Sequence, residues 1–207
     1  YLEAIMLRLG FSPSFVSLTM KCATSPRFIV RVNGELLPYF TPSRGLRQGD
    51  SLCPFLFLFV ANGLSALFKK SMEEQGLKGI RICRGAPEIS HLLFADDSLL
   101  FFQASEQQAI LVKGLLNTYA AATGQLINPS KCSILFSDHC SPTVATNIKG
   151  VLEITQEVFE PKYLGLPVPE GRMHKGNFET IQERLRKRLI DWSEQYMSSG
   201  NKEILIK

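Results

Sequence analysis

No CxxC pair and no zinc-like spacing joins the five cysteines, Cys22, Cys53, Cys83, Cys132 and Cys140. A scattered, odd-numbered set in a chain of this size reads as reduced thiols in an intracellular compartment, not as a disulfide framework. No basic-then-apolar leader opens the chain, which argues against secretion. No apolar run reaches bilayer length either. The most apolar stretch, LCPFLFLFVANGLSALF (Leu52 to Phe68), is broken by Pro54, Asn62 and Ser65 and falls short of the roughly 20 residues a span needs. It is expected to be a buried core helix, with no membrane partner. Internal repeats and low-complexity stretches are absent as well. Nor is there a strong charge of one sign: the formal net charge is +4 and the pI near 8.8. That permits a polyanionic partner without requiring one. The expected location is intracellular, nucleus or cytoplasm, and oligomeric state is not legible.

What is present is a chain of 207 residues, 45% hydrophobic, long enough for one large domain or a domain with an appendage. Tyr1 to Leu9 runs at helical spacing with no cap before it. Ser12-Pro13 supplies a cap and first-turn proline for a helix to about Ala23. RFIVRVNGELLPYF, Arg27 to Phe40, alternates around Asn33-Gly34, a strong hairpin signal. The apolar helix follows from about Pro54 to Gln75. Short strands are expected at Ile80 to Arg84 and Glu88 to Phe94, with Leu99 to Phe102 returning. Ser105 to Thr123 is helical, closed by Gly124. Lys131 to Ser137 reads as a strand, Ser141 to Leu152 as a helix, and Lys162 to Val168 as a short strand. The tail, Phe178 to Met197, is a helix; between Arg172 and Arg188 six basic residues face two acidic ones. Helices mixed with hairpins imply α+β with an antiparallel sheet, and a Pro/Gly-rich boundary near Val168 to Lys175. The final KEILIK stops inside an apolar pattern, so a piece of something longer is expected.

Two short stretches carry chemistry. HLLFADDSLLFF, His91 to Phe102, places Asp96 beside Asp97 between apolar runs. On a regular strand neighbouring side chains point to opposite faces. At a hairpin tip Ala95-Asp96-Asp97-Ser98 could present both carboxylates to one side, braced by Phe94 and Leu99 in the core. Mg²⁺ prefers such oxygen ligands, yet Asp is also an ordinary turn former. Both readings stand on spacing alone. RGLRQGDSLCPF, Arg44 to Phe55, sets two arginines and two glycines before a helix start. Free amides and the positive helix end make that an anion seat, unless Asp50 or Ser51 merely caps the helix and the arginines are solvated.

RGLRQGDSLCPFLF, HLLFADDSLLFF, GQLINPSKCSILFS and KYLGLP, in this order and spacing, resemble the reverse transcriptase of plant non-LTR (LINE-type) retrotransposons. The similarity runs from YLEAIMLRLGF to GNKEILIK. It implies a polymerase palm-like antiparallel sheet with packed helices over residues 1–168, and the start of a helical thumb over 169–207. It implies an RNA template, a DNA primer and dNTPs as partners, with Mg²⁺ or Mn²⁺ as cofactor. By the same resemblance Asp96 binds the catalytic metal and Asp97 supports it. Arg44, Arg47, Gln48 and Gly49 fall in the loop that touches template and nucleotide. The resemblance makes Lys131 the acid for departing pyrophosphate, unless it is simply a solvated lysine, and has Tyr163, Leu164 and Gly165 hold the primer end, unless Tyr163 and Leu164 only pack. Arg184 to Arg188 begin the thumb.

The chain departs from the family in Ser51 and Cys53, where Pro and Ser are usual. A larger departure concerns the metal set. Two-metal transfer holds its ions about 3.5–4 Å apart, and in this family a further aspartate, on a strand before the YLEAIML helix, bridges them. That strand is not in the chain, and Glu3, on a helix, does not replace it. The expectation is weak Mg²⁺ binding and no useful polymerase activity by these residues alone. In the intact parent a primer 3′-hydroxyl would attack the α-phosphate of a dNTP, helped by two Mg²⁺ ions. The alternative is a non-catalytic nucleic-acid-binding or scaffold remnant of a palm.

Overall fold

The computed structural model describes residues 1–43, 45–157, 162–164, 166–167 and 175–193. The chain forms two compact units: Tyr1–Cys132 with Phe136–Gln156, and Ser133–Leu135 with Glu157–Lys207.

The helices of the first unit begin and end where local chemistry dictates. Helix α1 (Leu2–Arg8) is followed by α2 (Pro13–Thr24), whose Ser12 hydroxyl accepts from the Phe15 amide and whose proline sits in the first turn. Such a cap satisfies an amide that has no partner within the helix. Helix α3 (Cys53–Glu74) has Pro54 in its first turn. In α4 (Glu106–Thr123), Ser105 caps the start and Gly124 closes the end at φ 75°, donating to the Ala120 carbonyl. Ser141 caps α5 (Pro142–Leu152) in the same manner.

Two clusters hold these elements together. Leu64 and Phe68 of α3 meet Leu77 and the Val112, Leu115 and Tyr119 stripe of α4. Met6, Val16 and Leu56 join α1, α2 and the start of α3. Lys113 ties α4 to α5, donating to the Val151 carbonyl at 2.7 Å and to Glu153 at 2.8 Å. The apolar helix is therefore buried along one stripe only. Phe55 and Leu58, on another face, are 65% and 62% exposed. Helix α3 also extends beyond the apolar run, and at 22 residues it is long and apolar enough, by length and composition, to cross a membrane. Its inward stripe is instead packed against α1 and α4.

At Gly63 an added Cβ would meet only the Tyr1 side chain, its hydroxyl first and then the ring edge, on a residue that is 43% exposed. Gly63→Ala should therefore be nearly neutral. The ring swings away while the helix gains about 1 kcal/mol of propensity. A urea titration showing more than about 1.5 kcal/mol of destabilisation would mean the tyrosine seat is rigid.

The strands are shorter than the sequence suggests. The Asn33-Gly34 turn forms with φ 50° and 91°, the left-handed pair that a tight hairpin requires. It joins β1 (Arg31–Val32) to β2 (Glu35–Leu36), with one further bridge between Phe28 and Phe40. The expected Ile80–Arg84 and Glu88–Phe94 pair reduces to one bridge, Ile80 with Ile89, before β3 (His91–Phe94) pairs with β4 (Asp97–Leu100). Gly85 at φ 86° and the Ala86 amide on the Cys83 carbonyl turn the chain away first. Lys131–Ser137 is not the expected strand. Pro129–Lys131 wind into a 3-10 turn, set by the Asn128 side chain accepting from the Ser130 amide, and the following residues keep one bridge residue, Ser133, and build no ladder.

In the second unit β5 (Lys162–Tyr163) pairs antiparallel with β6 (Leu166–Pro167). A 3-10 turn at Lys175–Phe178 leads into α6 (Glu179–Ser193). The expected tail helix thus forms; its last stretch, 194–197, and most of the Val168–Lys175 boundary lie outside the described residues. The architecture is α+β with antiparallel pairing, as expected. Among the described residues the pairing is three separate two-stranded hairpins, not one continuous sheet.

Candidate functional site

The Asp pair lies on the β3–β4 hairpin. Register pairs Phe94 with Asp97, Leu93 with Ser98, Leu92 with Leu99 and His91 with Leu100. Only Ala95 and Asp96 therefore leave the pleat, and Asp97 is the first residue of β4. Ala95 is at φ 49°, a region that a residue with a Cβ adopts at some cost and that recurs at functional turns. Both aspartates are exposed, and neither has an ion pair or side-chain hydrogen bond with a described residue.

Alternation along the hairpin decides which side is held. Leu93 and Leu100 pack on the α3–α4 cluster, while Leu92 and Phe94 are 49% and 59% exposed on the other face. The bracing expected of Phe94 and Leu99 thus falls to Leu93 and Leu100, because successive side chains on a strand point opposite ways. Asp97 shares the open face with Phe94, Leu92 and Leu99.

His91, at the base of β3, faces the helices. Its Nε2 is hydrogen-bonded to the Ser65 hydroxyl of α3 at 2.8 Å and its Nδ1 to the Ser90 hydroxyl at 2.9 Å. Its ring lies 5.5 Å from that of Phe68. Burial, and secondarily the charge of Lys69, hold the imidazole below its usual range, so it sits as the neutral base. Sequence reading did not single it out. The available signal was its place on the same period-2 face as Leu93.

The loop before α3 has two devices. The Asp50 amide donates to the Arg47 carbonyl at 3.5 Å, with Gly49 at φ 84°, the left-handed third position that such a turn needs. The Asp50 carboxylate accepts from the Leu52 amide at 2.8 Å. That bond lies one residue before the helix, and α3 has no side-chain cap. Asp50 therefore shapes the approach without capping the first turn. Leu46 anchors the loop in the Met6 cluster, leaving Arg47, Gln48 and Gly49 exposed. Lys131 ends the 3-10 turn, exposed, in the same unit. In the second unit Tyr163 is half-buried and Leu164 is exposed at φ 52°. Arg44 and Gly165 lie outside the described residues.

Residues 9–168 match the reverse transcriptase (RNA-dependent DNA polymerase) family. The chain belongs to that family. Asp96, Asp97, Arg47, Gln48, Gly49, Lys131, Tyr163 and Leu164 all fall within the matched reverse transcriptase segment. The chain is also 26% identical over 191 residues to the retrovirus-related Pol polyprotein from type-1 retrotransposable element R2 of Popillia japonica. That alignment covers 87% of this chain and 30% of the polyprotein. It is 49% identical over 67 residues to an uncharacterized mitochondrial protein of Arabidopsis thaliana, covering 32% of this chain and 55% of that one. The chain thus spans only part of the curated relatives it matches.

Reverse transcriptases imply a divalent metal, and the side chains present can be tested against one. Asp96 and Asp97 offer hard oxygen ligands suited to Mg²⁺. Among the described residues no group of three His, Cys, Asp or Glu side chains is arranged to hold a metal ion. Two carboxylates could contribute ligands to one ion. They do not by themselves fit a two-ion set, whose four positive charges demand more.

Proposed function

We propose that this chain is the palm core, with the start of the thumb, of a retrotransposon RNA-directed DNA polymerase. The observation that carries this reading is the turn placement of Asp96 beside Asp97, both exposed, inside a segment that matches the reverse transcriptase family. In the intact parent, Asp96 and Asp97 would be two of the metal-holding carboxylates. Arg47, Gln48 and Gly49 would face template and nucleotide at the uncapped start of α3. Lys131 would donate a proton to the leaving pyrophosphate, and Tyr163 and Leu164, with Gly165, would hold the primer end. Alone, the chain is expected to make no useful DNA, because it supplies too few carboxylates for two ions.

Primer extension on an RNA template tests this, comparing the chain with the same chain joined to a segment that supplies the further aspartate. DNA made only by the joined form supports the reading, and Asp96→Asn should abolish it. Extension by the chain alone, dependent on Asp96, would overturn the expected inactivity. A direct companion measurement is thermal stabilisation by Mg²⁺. At about four times its Kd the ion should add about 1 kcal/mol, a rise in Tm of about 2–4 °C, lost in Asp96→Asn.

The lack of a third ligand among the described residues favours a second reading, a non-catalytic nucleic-acid-binding remnant. No DNA from either form, with salt-sensitive binding of an RNA–DNA hybrid retained, would select it.

A further inference from the structure

The hairpin bearing Asp96 and Asp97 is held at its base by a polar contact that the polymerase reading leaves without a role. We propose that His91 is a positioning residue that clamps this hairpin to α3, and that protonation of its imidazole loosens the clamp. As a statement about the site, the proposal rests on the polymerase reading above; as a statement about the hairpin it stands on geometry alone.

The contact has two ends. Ser65 of α3 takes Nε2 and Ser90, the residue before β3, takes Nδ1. A neutral imidazole needs one donor and one acceptor partner, and a hydroxyl can serve as either, so both tautomers are satisfied. Phe68, fully buried, packs beside the imidazole with its ring 5.5 Å away and tilted by 51°. The Ser90 carbonyl in turn accepts from the Phe101 amide at 2.8 Å, closing the hairpin base on the opposite strand. The His91 side chain therefore links the long helix to the base of β3, and the Ser90–Phe101 backbone bond carries that link across to the strand bearing Asp97. The rest of the hairpin's attachment is Leu93 and Leu100, and apolar contacts fix distance better than direction.

The surroundings make the clamp sensitive to protonation. Lys69 of α3 is the charged group whose field reaches the ring, and it repels a second cation. Ser65 and Phe68 from the same helix and Leu100 opposite in the hairpin are uncharged. Tyr119 of α4, in the same cluster as Phe68, is engaged with Gln125 and the Val60 carbonyl. Among the described residues no carboxylate bears on the ring, whose shift comes from burial and Lys69. The sign follows from linkage. A base whose folded pKa is depressed binds fewer protons folded than released, so its contribution is fully present above the free histidine value of about 6.5 and falls as pH drops through the depressed one.

Amide hydrogen exchange on the whole chain tests this, with the Phe101 amide as reporter and protection factors compared so that intrinsic rates cancel. Between pH 7.5 and 5.5 the wild-type protection at Phe101 should fall at least about threefold, while amides in the middle of α4 hold. In His91→Gln, which keeps a neutral hydrogen-bonding group, the fall should vanish. In Ser65→Ala, which leaves the ring in place, protection at pH 7.5 should already be reduced. Equal pH dependence in wild type and His91→Gln, or unchanged protection in Ser65→Ala, overturns the clamp. Loss of free Mn²⁺ signal in paramagnetic resonance reports the aspartates separately. Mn²⁺ binding that weakens in step with Phe101 protection supports the positioning role. Binding that is independent of protection overturns that role. Failure of Mn²⁺ to bind at either pH, with protection behaving as stated, counts against the polymerase reading and leaves the clamp supported.

Discussion

Replacing Phe68 with Ala is expected to remove about 3–5 kcal/mol of stability, the range for emptying a buried aromatic site. Phe68 is 0% exposed and touches the cluster formed by Leu64, Leu77, Val112, Leu115 and Tyr119. Folded domains have only about 5–15 kcal/mol in hand, so the variant should be partly unfolded at 37 °C. Its ring also backs His91 at 5.5 Å, and the β3–β4 hairpin should loosen before the helices do. Phe55→Ala is the control on the same helix. At 65% exposure it should change stability by no more than about 0.5 kcal/mol, as surface substitutions do. Urea unfolding of both variants, read by circular dichroism, separates them. Equal effects at the two positions would show that α3 does not bury the Leu64–Phe68 stripe.

Gly79→Ala should cost about 2–3 kcal/mol, near the upper range for forcing extra atoms into a packed site. The added Cβ would meet the Ile89 carbonyl and the Ser90 amide nitrogen. These are backbone atoms and cannot turn aside, unlike the tyrosine ring beside Gly63. The Ile80–Ile89 bridge, with both bonds at 2.8 Å, and the Gly79 amide bond to Glu88 at 2.7 Å would have to give way. Because Ser90 and His91 follow directly, the displacement should reach the hairpin base and raise exchange at Phe101. A Gly79→Ala protein as stable as the parent in urea would mean that the two segments are not in contact there.

Leu92 and Phe94 stand 49% and 59% exposed on the face they share with Asp97, where a strand or another polypeptide surface would shield them. On the polymerase reading proposed above, a further aspartate-bearing strand laid on this face is expected to add both stability and metal affinity. The joined form in the primer-extension comparison tests both gains.

Sequence alone settled the features that depend on neighbours a few residues apart. The cap at Ser12, the helix starts at Ser105 and Ser141, the left-handed stop at Gly124 and the Asn33-Gly34 turn rest on local hydrogen-bonding and φ preferences. Each helix they bound was legible to within a residue or two, and the turn was placed correctly though its strands are shorter than expected. The reverse transcriptase family was legible for a related reason: its boxes are short, ordered and rich in residue types that the chemistry demands. Tertiary structure decided what needs a distant partner. A strand exists only where another backbone accepts its hydrogen bonds, so Ile80–Arg84 shrank to one bridge and Lys131–Ser137 to a turn and an extended segment. Both Leu93 and Phe94 are apolar, and composition could not say which faces the core; packing against α3 and α4 chose Leu93. His91 looked like an incidental polar residue until the fold brought Ser65 to its far nitrogen, 26 positions away in the chain. Asp96 and Asp97 could be read as a pair from the letters, but that Asp96 leaves the pleat and Asp97 stays in it was decided by cross-strand register, which only the folded hairpin fixes.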